Sequence, residues 1–256
     1  VAVADPDPVK QARARDEYGL QDNQIFDTDL ALMEESRLSD VAIIATQDKL
    51  HLRDIRGLLA KGYDLILEKP VATTLEELQE IAAISESFPE QMVAVCHVLR
   101  HTLFFGEIKK ILDSGCFGPV ISVQHNENIG YYHFAHSYVR GSWNNEETSG
   151  PLTLTKSCHD MDILLYLLGD THCRSISSFG GLSVFNRAHY DPETMAPMCV
   201  DCPQNATCAY SATRLYSSGK IKSVVFDLSS VDKVRENLGN SPYGKCVYHC
   251  DNNVVD

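Results

Sequence analysis

The sequence lacks the features of several classes of protein. No apolar run approaches the ~18 residues that a membrane-spanning helix needs. Basic residues are scarce: 22 Lys and Arg stand against 35 Asp and Glu, a formal net charge of -13. Such an acidic chain is a poor partner for DNA, RNA or an anionic membrane surface, because all of these are anionic themselves. We therefore expect neither nucleic acid nor membrane as a partner.

The chain also lacks an initiator methionine and a signal-peptide pattern. It begins at Val1 and ends at Asp256, in both cases within an apolar stretch. We expect both ends to cut through secondary structure, so the sequence is predicted to be a fragment of a longer protein.

Cysteine is too infrequent for a disulfide-stapled scaffold, with 9 residues in 256. The odd count and scattered spacing favour a reducing compartment, and we expect the cytoplasm. Cys199, Cys202 and Cys208 form a Cys-x-x-Cys pair with a third cysteine, which is compatible with zinc if His189 or a later cysteine is the fourth ligand. The second close pair of a zinc ribbon is missing. We therefore predict no metal, and packing or an adventitious disulfide instead.

Strand and helix patterns alternate over roughly the first hundred residues. The predicted strands are Val1–Ala4, Val41–Ala45, Leu65–Leu67 and Met92–Cys96, and the predicted helices are Pro8–Tyr18, Lys49–Lys61 and Thr74–Ser85. This alternation predicts βαβ units and a doubly wound parallel sheet, an α/β fold. The continuous apolar run Val41–Ala45 indicates a strand buried on both faces. Thr74 and Glu77 predict a capping box.

The pattern changes near residue 100, and we place a second domain at residues 101–256 after a first domain at residues 1–100. Its predicted helices are Phe104–Leu112 and Cys158–Leu168; its predicted strands are Val120–Asn128, Ser175–Phe185 and Ser223–Ser230. Pro192, Pro197 and Pro203 predict a loop over Asn186–Asn205. The second domain is expected to be α+β with a mainly antiparallel sheet.

Candidate ligand-binding residues lie at or after the ends of four predicted parallel strands. Ligands of open α/β sheets bind at the carboxyl ends of strands. The candidates are Asp5 after the first strand, then Ala45, Thr46, Asp48 and His51, then Glu68, Lys69 and Pro70, and finally His97 and Arg100. Simpler interpretations stay open: a turn Asp at 5, a helix N-cap at 48 and a solvated Lys at 69. Pro70 is compatible with a cis peptide bond.

A second group of ionisable residues opens the helix predicted from Cys158. Lys156, His159 and Asp162 are spaced three apart, which would place them on one face of the helix start. Histidine titrates near neutral pH and transfers protons readily. A structural histidine is the alternative interpretation.

Aromatic and polar residues precede this helix and would suit a sugar or cyclitol, which stacks on aromatic faces. They are Tyr131, Tyr132, His133, His136, Tyr138, Arg140 and Trp143. Buried aromatic packing is the alternative.

Together these segments resemble the glucose–fructose oxidoreductase, inositol dehydrogenase and rhizopine-catabolism (Gfo/Idh/MocA) family. Glu68-Lys69-Pro70 matches the family's E-K-P signature, and residues 41–69 are similar to its "VVIATPNxxHxxxAxxALxAGxHVLxEKP" run. Residues 158–169 look like its "GxHxxDxxxWLLG" segment, with His159 and Asp162 matching. The resemblance implies an N-terminally truncated Rossmann domain that lacks its glycine-rich loop, and a C-terminally truncated second domain with an open-faced sheet.

The resemblance also implies roles. Lys69, His159 and Lys156 are the implied catalytic residues. Asp5, Ala45, Thr46, Asp48, His51, Glu68 and Lys69 are implied to bind the cofactor; His97, Arg100, Arg140, Trp143 and Asp162 are implied to bind substrate. The sequence departs from the family where Thr155 replaces its common catalytic Asp and Gln47 replaces a Pro, and the first departure suggests that Lys156 takes part.

The resulting hypothesis is an NAD(P)-dependent dehydrogenase that acts on a secondary CH-OH group of a sugar, sugar derivative or cyclitol. NAD is expected rather than NADP, because the carboxylate of Asp5 would repel a 2′-phosphate. A homo-oligomer formed through the second-domain sheet is also expected. The alternatives are an NAD-dependent glycosidase that oxidises its sugar transiently, and a non-catalytic cofactor-binding sensor.

Overall fold

The computed structural model describes residues 1–169, 171–218 and 229–251. The chain divides into two compact units, Val1–Thr102 and Leu103–Asp256. In the part of the chain that is described, no helix is both long enough and apolar enough to cross a membrane.

The first unit is built on parallel strands, as the sequence predicts. The strands are β1 (Val3–Ala4), β2 (Ile25–Phe26), β3 (Val41–Ile44), β4 (Asp64–Leu67) and β5 (Val93–Val95). Strand β1 pairs with β2, and a separate sheet has the order β3-β4-β5. Ile44 lies beside Leu67, which lies beside Val95, so the carboxyl ends of β3, β4 and β5 are level. The sequence analysis missed β2, which is only two residues long.

Helices connect these strands: α1 (Pro8–Tyr18), α2 (Asp29–Glu34), α3 (His51–Ala60) and α4 (Leu75–Ser87). Gly19 ends α1 at φ 65, a left-handed conformation that favours glycine. The capping box predicted at α4 is only half formed. The Thr74 hydroxyl accepts from the Glu77 amide at 3.2 Å, but the Glu77 carboxylate accepts from the Thr73 amide at 3.1 Å instead of the Thr74 amide.

The core of the first unit lies on one face of the three-stranded sheet. Ile44, Leu65 and Leu67 are buried there against α3 and α4. The other face carries Ile43 and Ile66, which are neighbours in the sheet and are 70% and 36% exposed. The prediction that Val41–Ala45 is buried on both faces is therefore wrong. An apolar run shows that a strand forms, but whether both faces are covered depends on where the helices pack.

The second unit consists of helices and turns in its described residues. The helices are α5 (Leu103–Asp113), α6 (Tyr131–Phe134), α7 (Leu152–Thr155), α8 (Cys158–Leu168), α9 (Ala212–Ser217) and α10 (Val231–Gly239). A π-helical turn, Ala135–Arg140, continues α6. Phe134, Val139 and Phe185 belong to one buried cluster of this unit, and Tyr216 and Leu238 belong to another.

The strands predicted at Val120–Asn128 and Ser175–Phe185 do not form. An isolated strand leaves its backbone amides and carbonyls unpaired, and neither segment has a partner strand in the described residues. Side chains on both remain exposed, including Ile121 at 89% and Phe179 at 95%. The strand predicted at Ser223–Ser230 lies largely outside the described residues. The homo-oligomer expected through this sheet stays a prediction.

His136 joins three elements of the second unit. Its ring stacks on Tyr243 with centroids 4.7 Å apart, and its Nδ1 contacts the Tyr216 hydroxyl of α9. Burial lowers the pKa of His136 below its ordinary value of 6.5, and the nearby charges of His133 and Arg140 lower it further. The native state therefore favours the neutral ring, which shares a hydrogen bond with the tyrosine hydroxyl.

A matched pair of substitutions on β3 tests the one-sided core. Ile44→Ala should lower the free energy of unfolding of the first unit by about 2–5 kcal/mol, because it leaves a cavity in a packed core. Ile43→Ala on the exposed face should cost less than about 1 kcal/mol. Hydrogen exchange of β4 amides across a urea series measures both. Equal losses would contradict the one-sided core.

The second unit should lose stability as the pH falls below 6.5, the ordinary pKa of His136. Protonation then favours the unfolded state, whose histidine has the higher pKa, and the loss continues until the pH reaches the lowered pKa of the native state. His136→Gln should flatten this decline of the unfolding midpoint between pH 7 and pH 5. His172→Gln, at an exposed histidine of the same unit, is the matched control and should leave the decline unchanged.

Candidate cofactor and catalytic residues

The loops after β3, β4 and β5 lie side by side. The Glu68 amide donates to the Ile44 carbonyl at 2.9 Å, and the Cys96 amide donates to the Leu67 carbonyl at 2.8 Å. The pairing thus continues one residue beyond each strand. As a result, the loops that begin at Ala45, Glu68 and Cys96 emerge at one edge of the sheet.

The buried side chain of His51 contacts two of these loops, the one after β3 and the one after β4. Its side chain is 1% exposed. Its Nδ1 lies 2.9 Å from the Pro70 carbonyl oxygen, and its Nε2 lies 3.3 Å from the Thr46 carbonyl oxygen. Both partners are carbonyl oxygens and accept, so a ring N–H is the donor wherever a hydrogen bond forms. The ring is thus engaged by the backbone of the loops after β3 and β4.

Asp54 is a buried acid that the sequence analysis missed. It is 2% exposed, and its two carboxylate oxygens accept from the Thr46 hydroxyl at 2.7 Å and from the Arg53 Nε at 2.9 Å. These bonds fix the rotamer of Thr46 at the strand end. The sequence does contain one signal of its burial, because Asp54 is adjacent to Ile55 on the apolar face of α3.

Asp48 and Asp5 lie near the ends of β3 and β1. Asp48 is 8% exposed and is the first residue of a 3₁₀ turn that leads into α3; the N-cap of that turn is Gln47, so the N-cap interpretation of Asp48 is wrong. Asp5 accepts from the Asp7 amide at 2.9 Å through one oxygen, and its other oxygen lies 3.3 Å from the Lys10 ammonium.

Lys69 follows β4 as the motif predicts, half-buried, with Glu68 exposed before it. The Lys69-Pro70 peptide bond is cis. On the neighbouring loop, burial raises the pKa of the Cys96 thiol, and the charge of Glu68 raises it further. His97 and Arg100, both half-buried, lie at and within the 3₁₀ turn that follows β5.

In the second unit, Lys156 does not share a helix with His159 and Asp162. Helix α8 begins at Cys158, and Lys156 lies in the turn between α7 and α8. The prediction that all three lie on one helix face is therefore wrong, because a spacing of three does not reveal a turn. His159 is half-buried and Asp162 is 7% exposed, both within the first turns of α8.

Two residues of the 120–128 segment hold this helix start, and the sequence analysis missed both. Glu127 forms an ion pair with Lys156 at 2.7 Å, and His125 Nε2 lies 2.7 Å from the Asp160 carboxylate. The hydrogen bond from Lys156 lowers the pKa of Glu127, with the charges of Lys156, His125 and His133 acting in the same direction. The Glu127 pair compensates the positive charge of Lys156 beside α8.

Of the residues expected to bind substrate, Arg140 is buried in the second unit and Trp143 is half-buried against its core. Arg140 is 2% exposed and donates to the Lys245 and Tyr210 carbonyls, each at 2.7 Å. Trp143 packs on Tyr138 with ring centroids 6.0 Å apart. Aromatic packing, the alternative interpretation of this stretch, therefore describes Tyr138, which is buried, and Trp143, which is partly buried.

Comparison with known proteins identifies the family of both units. Residues 1–97 match the family described as "Oxidoreductase family, NAD-binding Rossmann fold". Residues 109–224 match its companion, "Oxidoreductase family, C-terminal alpha/beta domain". Together the two matches cover most of the chain, in the order that the sequence resemblance implied.

Individual relatives are more distant. The oxidoreductase YteT of Bacillus subtilis is 30% identical over 175 residues, which are 67% of this chain and 40% of YteT. A D-xylose dehydrogenase of Paenarthrobacter nicotinovorans is 26% identical over 151 residues, 56% of this chain and 37% of that enzyme. The chain thus matches well under half the length of either relative.

Among solved structures, the scyllo-inositol dehydrogenase of Lactobacillus casei with bound NAD(H) and scyllo-inositol has a TM-score of 0.54 at 19% identity. The match covers 65% of this chain and 47% of that one, and it shows a shared fold. With the parallel sheet, the E-K-P loop and both family matches in agreement, this chain belongs to the Gfo/Idh/MocA family of oxidoreductases with an NAD-binding Rossmann fold.

Proposed function

We propose that the protein is an NAD-dependent dehydrogenase that oxidises a secondary hydroxyl of a sugar, sugar derivative or cyclitol. The observation that carries the proposal is the level register of β3, β4 and β5, which brings Lys69 to the sheet edge where ligands of this fold bind. The names of the D-xylose and scyllo-inositol dehydrogenases support the substrate class.

The first unit fits a dinucleotide at its sheet edge, although the chain contains no Gly-x-Gly-x-x-Gly loop. Asp5 directly follows β1, where an acid accepts from ribose hydroxyls. A carboxylate has about four lone-pair positions, and the contacts of Asp5 to the Asp7 amide and to Lys10 leave some of them for a ribose. Its charge opposes a 2′-phosphate, so NAD is favoured. Thr46 and Asp48 would line the cofactor beside it, and His51 and Asp54 would act by holding their loop.

The chemistry that NAD supplies when bound is acceptance of a hydride. The residues of this chain manage the proton and the charge. Breaking the carbinol C–H bond requires the O–H proton to leave, and we assign its acceptance to a ring nitrogen of His159. The ammonium of Lys69 stabilises the negative charge that develops on the oxygen.

Glu127 and His125 enter the proposal as positioning residues. By pairing with Lys156 and Asp160, they fix the turn and the first residues of α8 on either side of His159. The Glu127 carboxylate also compensates the Lys156 charge, so Lys156 acts as part of an ion pair rather than as an isolated cation. A cytoplasmic location and a homo-oligomeric assembly complete the proposal.

A panel of sugars and cyclitols, offered to the full-length protein with NAD or NADP, tests the proposal through nicotinamide absorbance. We expect reduction of NAD by at least one polyol and weaker binding of NADP. Release of aglycone from a glycoside without net absorbance change would replace the dehydrogenase by the glycosidase. Cofactor binding without turnover of any substrate would indicate the sensor.

Lys69→Met should lower kcat/KM at least a thousandfold while NAD still binds, because it removes the charge that stabilises the alkoxide. That loss corresponds to about 4 kcal/mol of transition-state stabilisation. Lys61→Met, at the half-buried C-cap of α3 in the same unit, is the matched control for loss of one lysine. A Lys69→Met enzyme with a tenth of the wild-type activity would contradict the assignment, since tenfold is only about 1.4 kcal/mol.

Glu127→Gln should lower kcat more than it raises KM, because it leaves the Lys156 charge uncompensated beside His159. The plot of kcat against pH should also shift, which a purely structural role would not cause. Glu147→Gln, an exposed acid elsewhere in the second unit, provides the control. An unchanged pH profile in Glu127→Gln would show that the ion pair does not act on the reaction.

A further inference from the structure

The second unit contains a cavity of about 270 Å³ that lies outside the proposed catalytic residues. Four thiols line it, from Cys199, Cys202, Cys208 and Cys246. All four cysteines are free. Cysteine is scarce in this chain, and four of its 9 cysteines line this one cavity.

Backbone pairing brings the segments of two of these cysteines, Cys199 and Cys246, side by side. Met198 and Lys245 form an antiparallel bridge. On one side of it the Cys199 amide donates to the Gly244 carbonyl, and on the other the Cys246 amide donates to the Pro197 carbonyl, both at 2.7 Å. The Cys202 and Cys208 amides donate within their own turns, to Cys199 and Gln204 carbonyls. The scaffold for the four thiols is therefore fixed by main-chain bonds before any ligand binds.

A buried positive charge lies at the same cavity. Arg140 lines it, and its Nη2 lies 3.6 Å from the Cys199 sulfur. Its Nη1 is buried and has no hydrogen-bond partner among the described residues. The described residues around the cavity include no Asp or Glu. A buried guanidinium without an anionic partner is costly, so the site needs negative charge from another source.

We propose that Cys199, Cys202, Cys208 and Cys246 bind one structural zinc ion. Zinc with four thiolates is the common closed, tetrahedral site, and soft sulfur ligands select it over harder divalent metals. Such a centre carries a net charge of about −2, because one Zn²⁺ meets four thiolates. Arg140 supplies the compensating charge and donates toward the Cys199 sulfur, the usual role of a residue that surrounds a zinc–thiolate centre.

The structure distinguishes between the candidates for the fourth zinc ligand, which the sequence leaves open as His189 or a later cysteine. His189 is exposed, and its Nε2 contacts the Ser183 carbonyl at 2.9 Å. The Cys250 thiol contacts the Cys246 carbonyl at 3.3 Å and does not line the cavity. Cys246 lines the cavity and faces the Cys199 segment across the bridge. It is therefore the fourth ligand.

In the described residues, no three His, Cys, Asp or Glu side chains already converge closely enough to hold a metal ion. Protonated thiols have no reason to converge, because each gains more from a nearby carbonyl, as the Cys199 sulfur does from Lys245 at 3.7 Å. Zinc displaces the protons, and the sulfurs then turn to other staggered rotamers around the ion.

The experiment measures metal in the full-length protein, expressed in zinc-supplemented medium and purified without chelator or affinity tag. Elemental analysis should give one zinc per chain. X-ray absorption at the zinc edge should give four sulfur neighbours at about 2.3 Å. Cys202→Ser and Cys246→Ser should each lower the zinc content at least tenfold. Cys250→Ser and His189→Ala are the matched controls and should keep the full content.

Several results would overturn the proposal. One is a zinc content below one ion per ten wild-type chains, and another is iron in place of zinc. A coordination shell dominated by nitrogen or oxygen would also overturn it, as would loss of zinc in His189→Ala with retention in Cys246→Ser. If the cysteine variants do not fold, exchange of cobalt into the wild-type protein tests the site instead. Intense thiolate-to-cobalt absorption supports the site, and its absence rejects it.

Discussion

The parallel register of β3, β4 and β5 is the constraint that brings the loops after these strands to one edge of the sheet. Ile44, Leu67 and Val95 are level, so the next residues of each chain segment leave the sheet together. A shift of one residue would turn every side chain to the opposite face and bury Ile43 in place of Ile44. The apolar core on the buried face of the sheet therefore fixes the register, and the register fixes the position of Lys69 after the carboxyl end of β4. His51 secures that edge further by contacting the carbonyls of two loops.

The second unit is organised by a different principle. Its described residues form almost no ladder of backbone hydrogen bonds between strands, and side-chain contacts connect segments that are distant in sequence. Arg140 reaches the Tyr210 and Lys245 carbonyls, and Lys156 reaches Glu127. Burying a charged group such as Arg140 costs free energy unless every donor and acceptor of that group has a hydrogen-bond partner. The orphaned nitrogen of Arg140 is where that condition is not met, and zinc thiolates would meet it.

Much of the first unit could be predicted from sequence, because its signals are local. Apolar runs ending at Ile44 and Leu67, and a helix closed by Gly19, need no knowledge of distant residues. Burial of the two sheet faces could not be predicted, since Ile43 and Ile44 are equally apolar and differ only in what packs on them. Asp54 and Glu127 were missed for the same reason: each has a partner, Thr46 or Lys156, that only the fold brings near.

The sequence by itself determined the family, most strands and helices of the first unit in their order, and the motif residues Lys69 and His159. These follow from side-chain type and spacing along the chain. The tertiary structure alone decided that Lys156 is ion-paired in a turn, that Arg140 is interior and that Cys246 joins the Cys199 loop. The physical reason is that hydrogen bonds, ion pairs and burial depend on distance in space, and chain spacing fixes that distance only within a helix, strand or turn.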